Sequence, residues 1–280
     1  MVIDFHAHLF PDEIADRAIQ KLTALNHLQA FSDGTAAGLR ASMRAAGVDL
    51  TVVLPVATTP QQVPHINDSA ARLNQAGEGL FSFGCIHPDF SDWKQELDRI
   101  AALGLKGVKL HPAFQDTDLD DPRYLRILER AGALGLVAVT HTGMDVGMPG
   151  LARCTPQMAR NALRQVGPVR LVLAHMGGWR CWEEAEELLA DTAAYLDTSF
   201  SLGRLTPLNP DVPPKVPLEL LDQTRFLRMA EQFGAGRILF GSDSPWGSPA
   251  ADLAWLRGLP MTEEVRTAIL GENARRLLDE

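Results

Sequence analysis

The chain has 280 residues, 46% of them hydrophobic and 22% charged, with a formal net charge of −9. That length and apolar content suffice for one large core, and the acidic balance excludes the broad basic face that nucleic-acid binding requires. No apolar run approaches the roughly 20 residues of a membrane span. No basic stretch leads into an apolar one at the N-terminus, as a secretory signal would. The three cysteines, Cys85, Cys154 and Cys181, show no C-x-x-C spacing, so the expected setting is a reducing cytoplasm with structural thiols.

In chain order, residues 2–5 read as a first buried strand, rich in β-formers and bounded by Pro11. A helical stretch at 39–46, ended by Gly47, precedes a second strand at 48–54. The pattern continues with helix 68–75, strand 80–86, helix 93–103, strand 105–111, helix 122–134 and strand 136–141. It finishes with helix 156–166, strand 169–175, helix 182–190, strand 194–199, helix 220–233 and strand 237–243. The strands are short and apolar throughout, as buried parallel strands are. Eight such strands alternating with helices predict a single (β/α)8 TIM barrel over residues 1–280. A doubly wound open sheet is the alternative, but no glycine-rich dinucleotide turn follows the first strand.

Two segments exceed simple connections. Residues 9–38 contain an amphipathic helix at 13–25, with Ile14, Ala18, Leu22 and Leu25 on one side, and residues 201–220 carry five prolines. Both leave the C-terminal ends of strands, the face on which barrel sites are built. They are expected either to shape a pocket or to form a docking surface, and a homodimer is the associated expectation.

The same face collects polar residues. The first strand delivers His6 and His8, the fourth Lys109 and His111, the fifth His141, the sixth His175 and the eighth Asp243. Alternation along a strand puts His6 and His8 on one side, about 7 Å apart. Imidazoles with a carboxylate suit Zn²⁺, and less specifically Mn²⁺, Fe²⁺, Co²⁺ or Ni²⁺. An open position on such an ion lowers the pKa of a water to about 7, which is hydrolytic or Lewis-acid chemistry. These spacings leave open which of His141 and His175 is ligand and which is base. His87, His65 and His27 are expected to be structural, and Asp4 and Asp197, within strands, to support neighbouring groups. Trp179, Arg180, Arg204 and Trp246 are candidates for stacking on or pairing with a substrate, which includes a carboxylated one.

The segments Asp4-Phe-His-Ala-His8, Gly107-Val-Lys-Leu-His-Pro112, His141-Thr-Gly143, Ala174-His-Met-Gly-Gly178 and Phe240-Gly-Ser-Asp-Ser-Pro245 resemble the amidohydrolase superfamily. The likeness is greatest to its amidohydrolase-related branch, which includes the aminocarboxymuconate-semialdehyde decarboxylase-like enzymes. It extends to Ile269-Leu-Gly-Glu-Asn-Ala-Arg-Arg-Leu-Leu278, similar to the final helix of that branch. The resemblance implies that His6, His8, His141 and Asp243 hold one divalent metal and that His175 manages protons together with Asp243. On the fourth strand, Lys109 is expected to be an ammonium facing Asp243 or a substrate carboxylate. The alternative is a carboxylated Lys109 bridging to a second metal on His141 and His175.

The function so implied is hydrolysis of a small organic molecule at an amide, ester or lactone bond by a metal-activated water. Non-oxidative decarboxylation of an unsaturated or aromatic carboxylic acid at the same centre is the enzymatic alternative. A barrel that has lost its chemistry and serves as a binding scaffold is the alternative of a different class, against which the complete set of histidines and Asp243 argues.

Overall fold

The computed structural model describes residues 1–212 and 214–279. Pro213, within the second long segment, and Glu280 lie outside the described residues. All strand pairings are parallel. One ladder runs β1 (Ile3–Ala7), β2 (Leu50–Val53), β3 (Leu80–Ser82). The other runs β4 (Gly84–Cys85), β5 (Gly107–Leu110), β6 (Val137–Thr140), β7 (Arg170–Leu173), β8 (Tyr195–Asp197), β9 (Ile238–Leu239). β3 and β4 are one barrel strand interrupted at Phe83, whose N–H donates to Val53 O at 2.9 Å.

The ring closes between its first and last strands. Phe5 N–H donates to Phe240 O at 2.7 Å, Asp243 N–H to His6 O at 2.8 Å and His8 N–H to Ser244 O at 2.6 Å. The architecture is therefore the expected (β/α)8 barrel, and among the described residues no helix is long and apolar enough to cross a membrane.

Alternation divides the apolar residues into two layers. Ile3, Phe5, Val52, Leu54, Phe83, Val137, Val139, Val172 and Leu239 pack together inside the ring, and Ala274 and Leu277 of the final helix plug its lower end. Neighbours of opposite parity, such as Val53, Val108, Ala138 and Leu171, join the outer layer beneath the helices. Lys109 lies opposite Val139 in register, so it shares the inward parity.

β1 departs from strict alternation. Asp4 pairs with Thr51 but Ala7 with Val53, so β1 carries one residue more than β2 between the two pairs. This bulge lets Phe5 and His6, adjacent in sequence, both face inward, and bulges re-aim side chains in this way near functional sites.

The strands are shorter than the apolar runs suggest. The eighth run, read as 237–243, keeps only Ile238–Leu239 in the ladder, and His111, His141 and His175 all lie just beyond their strands. The chain turns there; His175 and Asp243 take φ of 60° and 61°, which removes them from extended geometry.

The two long segments meet each other. The first holds α1 (Asp12–Asn26) and the start of α2 (Ala36–Ala46). Gln29 N–H donates to Thr206 O at 2.9 Å and Leu208 N–H to His27 O at 2.8 Å, while Phe31 N–H donates to Pro245 O at 2.7 Å. They form a wall over the end of β9.

Gly107 is required by close packing: a Cβ there would collide with the Phe83 ring and with Val137 O. Gly107→Ala should cost about 1–3 kcal/mol through overpacking. Gly167→Ala, where an added Cβ meets nothing within 4 Å, should be nearly neutral. Thermal melts of both variants check this, at about 2–4 °C of Tm per kcal/mol for a chain of this size; equal melting temperatures would contradict the inward position of Gly107.

Candidate active site

His6 and His8 project from β1 with their ring centroids 5.1 Å apart. Each ring is fixed from behind. His6 Nδ1 lies 2.8 Å from Asp197 Oδ2 and His8 Nδ1 lies 2.7 Å from Leu54 O. Both partners accept, so both Nδ1 atoms carry the proton and both Nε2 atoms present lone pairs. Those Nε2 atoms converge on one carboxylate oxygen, Asp243 Oδ1, at 3.4 Å from His6 and 3.1 Å from His8. Gly241 makes room for this approach, since a Cβ there would stand 2.9 Å from His6 Cβ.

This donor set fits a divalent transition metal: two forward lone pairs and a carboxylate lie within 4.8 Å of one another, and buried acceptors orient the rear nitrogens as metal-bound histidines require. Burial, and then the Lys109 charge, holds the His6 imidazole well below its ordinary pKa. Burial pushes the Asp243 carboxyl up, but the close His8 and His6 rings outweigh it and hold the group below the usual carboxylate range.

Lys109 is fully enclosed, and its Nζ lies 3.1 Å from His6 Nε2. Burial lowers its amine to about 8, against the opposing pull of Asp197 and Asp243. Its Nζ stands where an N–H can donate to the lone pair that faces Asp243.

His141 and His175 form a second unit. His175 Nδ1 lies 3.0 Å from Ser199 O, an acceptor, so it donates there and its Nε2 is a lone pair. That lone pair is 2.9 Å from His141 Nδ1, which must then carry a proton. His141 Nε2 is left deprotonated, buried and without a hydrogen-bond partner. It faces His111 and Asp145. A second metal shared by His141 and His175 under a carboxylated Lys109 would first have to break that 2.9 Å contact. Burial, followed by the charge of His141, keeps the His175 pKa well below its ordinary value.

The substrate candidates are placed less favourably. Trp179 is 1% exposed; its indole N–H donates to Glu219 O at 2.9 Å and its ring meets Phe200 edge-on. Arg180 pairs with Glu219 at 2.9 Å. Both brace the second long segment, because Glu219 offers a carbonyl and a carboxylate where they emerge. Trp246 is buried in the outer apolar layer, and Arg204 is exposed and without an ion pair among the described residues. His87 is buried and accepts from Asp89 N–H at 3.1 Å, consistent with a structural role.

Sequence reasoning missed two residues. Ser199 supplies the carbonyl that sets the His175 tautomer, and its hydroxyl donates to Asp197 Oδ1. Asp145 lies in the loop after β6, where no apolar run marks it.

Asp197→Asn should keep the fold and weaken divalent-metal affinity about 10–100-fold, the usual cost of losing the carboxylate behind a metal-binding imidazole. Zn²⁺ titration of chelator-treated protein measures this, and an unchanged affinity would show that His6 does not depend on Asp197 for its orientation.

Comparison with known proteins places the site in context. Among solved structures, the chain is similar to 5-carboxyvanillate decarboxylase from Sphingomonas paucimobilis, at 18% identity and TM-score 0.69, with 99% of this chain and 98% of that chain covered. It is similar to 2,6-dihydroxybenzoate decarboxylase from Rhizobium, at 16% identity and TM-score 0.70, covering 99% and 98%. It is also similar to a candidate 2-pyrone-4,6-dicarboxylic acid hydrolase from Pseudomonas putida, at 19% identity and TM-score 0.66, covering 99% and 97%. At such identities the likeness shows the fold. No curated protein matches the chain. The amidohydrolase family model matches residues 3–279, nearly the whole sequence, and the chain belongs to the amidohydrolase family.

Proposed function

We propose that the protein is a metal-dependent hydrolase of a small organic substrate, acting at an amide, ester or lactone bond, with Zn²⁺ as the metal held by His6, His8, His141 and Asp243. The observation that carries this reading is the convergence of two forward Nε2 lone pairs on Asp243 Oδ1, at 3.4 and 3.1 Å. A bound divalent ion supplies a Lewis acid that polarises a carbonyl and acidifies a water.

The chain's own residues supply the proton chemistry. Asp243, kept ionised by its imidazole neighbours, accepts a proton on its free carboxylate oxygen. His175, neutral and stacked 5.4 Å from His6, is the adjoining base. When its Nε2 takes up a proton, the contact with His141 Nδ1 opens and its own Nδ1–H stays on Ser199 O. The imidazolium then returns that proton to the leaving group as the bond breaks. Lys109, freed from His6 Nε2 when that lone pair is engaged, is the ammonium for Asp243 or for a substrate carboxylate.

Decarboxylation of a carboxylated aromatic acid is the second reading. It is supported by the likeness to two decarboxylases of such acids and by the same neutral His175, which can hold the proton that replaces carbon dioxide.

A panel of lactones, esters, amides and dihydroxybenzoates, with carbon dioxide release followed, tests both. The expected result is hydrolysis without carbon dioxide, with His175→Asn lowering kcat by about 10²–10⁴-fold at unchanged metal content. Carbon dioxide release without hydrolysis would transfer the site to the second reading. Inertness of every metal-loaded preparation would return the scaffold alternative.

A further inference from the structure

We propose that His111 and Asp145 are specificity-determining residues that together read a hydroxyl group beside the reacting carbonyl of the substrate. The inference rests on the reading of the site as one that acts on a small carbonyl compound, and it names a group such a compound carries.

His111 stands just past β5 and Asp145 in the loop after β6. Both are nearly enclosed, with side chains 8% and 9% exposed. They border His141, a metal ligand in that reading. The His111 ring stacks on the His141 ring at 4.5 Å and 13°, and Asp145 Oδ2 lies 3.8 Å from His141 Nε2. A substrate group held by the pair is therefore beside the reacting centre.

Local contacts fix one donor and one acceptor. The Phe114 N–H faces His111 Nδ1 at 3.4 Å, so Nδ1 keeps its lone pair and Nε2 carries the proton. The Phe114 ring, 4.3 Å from the imidazole, and the stacked His141 ring hold that orientation. Asp145 Oδ1 accepts the Gly147 N–H at 2.8 Å and the Met148 N–H at 3.1 Å, which leaves Oδ2 as the free acceptor. His111 Nε2 and Asp145 Oδ2 are 3.7 Å apart, too far for a hydrogen bond to each other. Neither atom has another hydrogen-bond partner among the described residues.

A donor and an acceptor facing across a gap of that width are satisfied together by one atom that accepts from the first and donates to the second. A hydroxyl does both, with its oxygen about 2.8 Å from each. A methylene in its place leaves both groups unpaired, and a carbonyl oxygen sets a second acceptor against Oδ2. Each of these is costly in a buried site, and that cost is the source of selectivity.

The test is calorimetric titration of the Zn²⁺-loaded full chain with lactate, propionate and pyruvate, which share one carbon skeleton and differ only at the second carbon. Wild type is expected to bind lactate about 10–100-fold more tightly than the other two, the worth of a hydrogen bond to a carboxylate. Asp145→Asn keeps an oxygen for the Gly147 and Met148 N–H groups and turns the second position into a donor. Its preference should pass from lactate to pyruvate, an exchange that a merely structural role would not produce. His111→Phe retains a stacked ring without the donor and should lose most of the lactate preference. Zinc content per chain should be unchanged in both variants.

Equal binding of lactate and propionate by wild type would overturn the proposal, as would a lactate preference that survives Asp145→Asn. Zinc lost on Asp145→Asn would also overturn it, by making Asp145 a further metal ligand. The titration needs no turnover, so its outcome is separate from that of the hydrolase reading. A lactate preference in a protein inert toward the whole substrate panel would keep the pair and sink that reading.

Discussion

One buried carboxylate sets the directions on which the rest of the site depends. Asp197, at the end of β8, gives Oδ2 to His6 Nδ1 and Oδ1 to the backbone N–H groups of His175 and Ser199 and to the Ser199 hydroxyl. A carboxylate enclosed in an apolar barrel is tolerated only when its lone pairs are filled, and here they are filled by the groups whose orientation matters. His6 is thereby obliged to present Nε2 forward, and the turn carrying His175 is held where Ser199 O can receive its Nδ1–H. The site is built from the back. Removing Asp197 would leave His6 in place while making its forward nitrogen indeterminate.

Much of this was legible in the sequence because the chemistry sits where apolar runs stop. Lys109 lies within a strand of the ring and His111, His141, His175 and Asp243 each follow one, and their convergence follows from strand count alone. The bulge in β1 was not legible. Strict alternation would have set Phe5 and His6 on opposite faces, and only the register against β2 shows both pointing inward. The tautomers of His141 and His175 were also hidden, because a backbone carbonyl at Ser199 sets them and carbonyls leave no mark on a sequence. Asp145 is a lone acid in a loop, and its meaning comes from His111, thirty-four positions upstream, which the ring brings beside it.

Two of the residues that matter most adopt left-handed backbone conformations. His175 and Asp243 have φ of 60° and 61°, and Phe200, which meets His175 edge-on, has 55°. Such conformations cost about 1–3 kcal/mol each and persist where the surroundings over-determine them. The Asp243 N–H bond to His6 O and the His175 N–H bond to Asp197 provide that constraint. The same turns that end the strands early also swing the side chains off the ladder and over the barrel axis, so strand termination and site formation are one event.

The seam of the barrel joins its first strand to its last, and His8 and Asp243, 235 positions apart, face each other across it. A cation gripped there would act as a clasp between the first and last strands of the barrel. Closing so long a loop costs conformational entropy, and whatever binds only the closed ring holds it shut by mass action. Affinity for the ion and resistance to opening of the barrel are then the same free energy seen from two sides. The plug of Ala274 and Leu277 adds to this: the interior is complete only once that helix is in place, so a nascent chain holds both histidines of β1 long before it has the carboxylate that gives them a purpose.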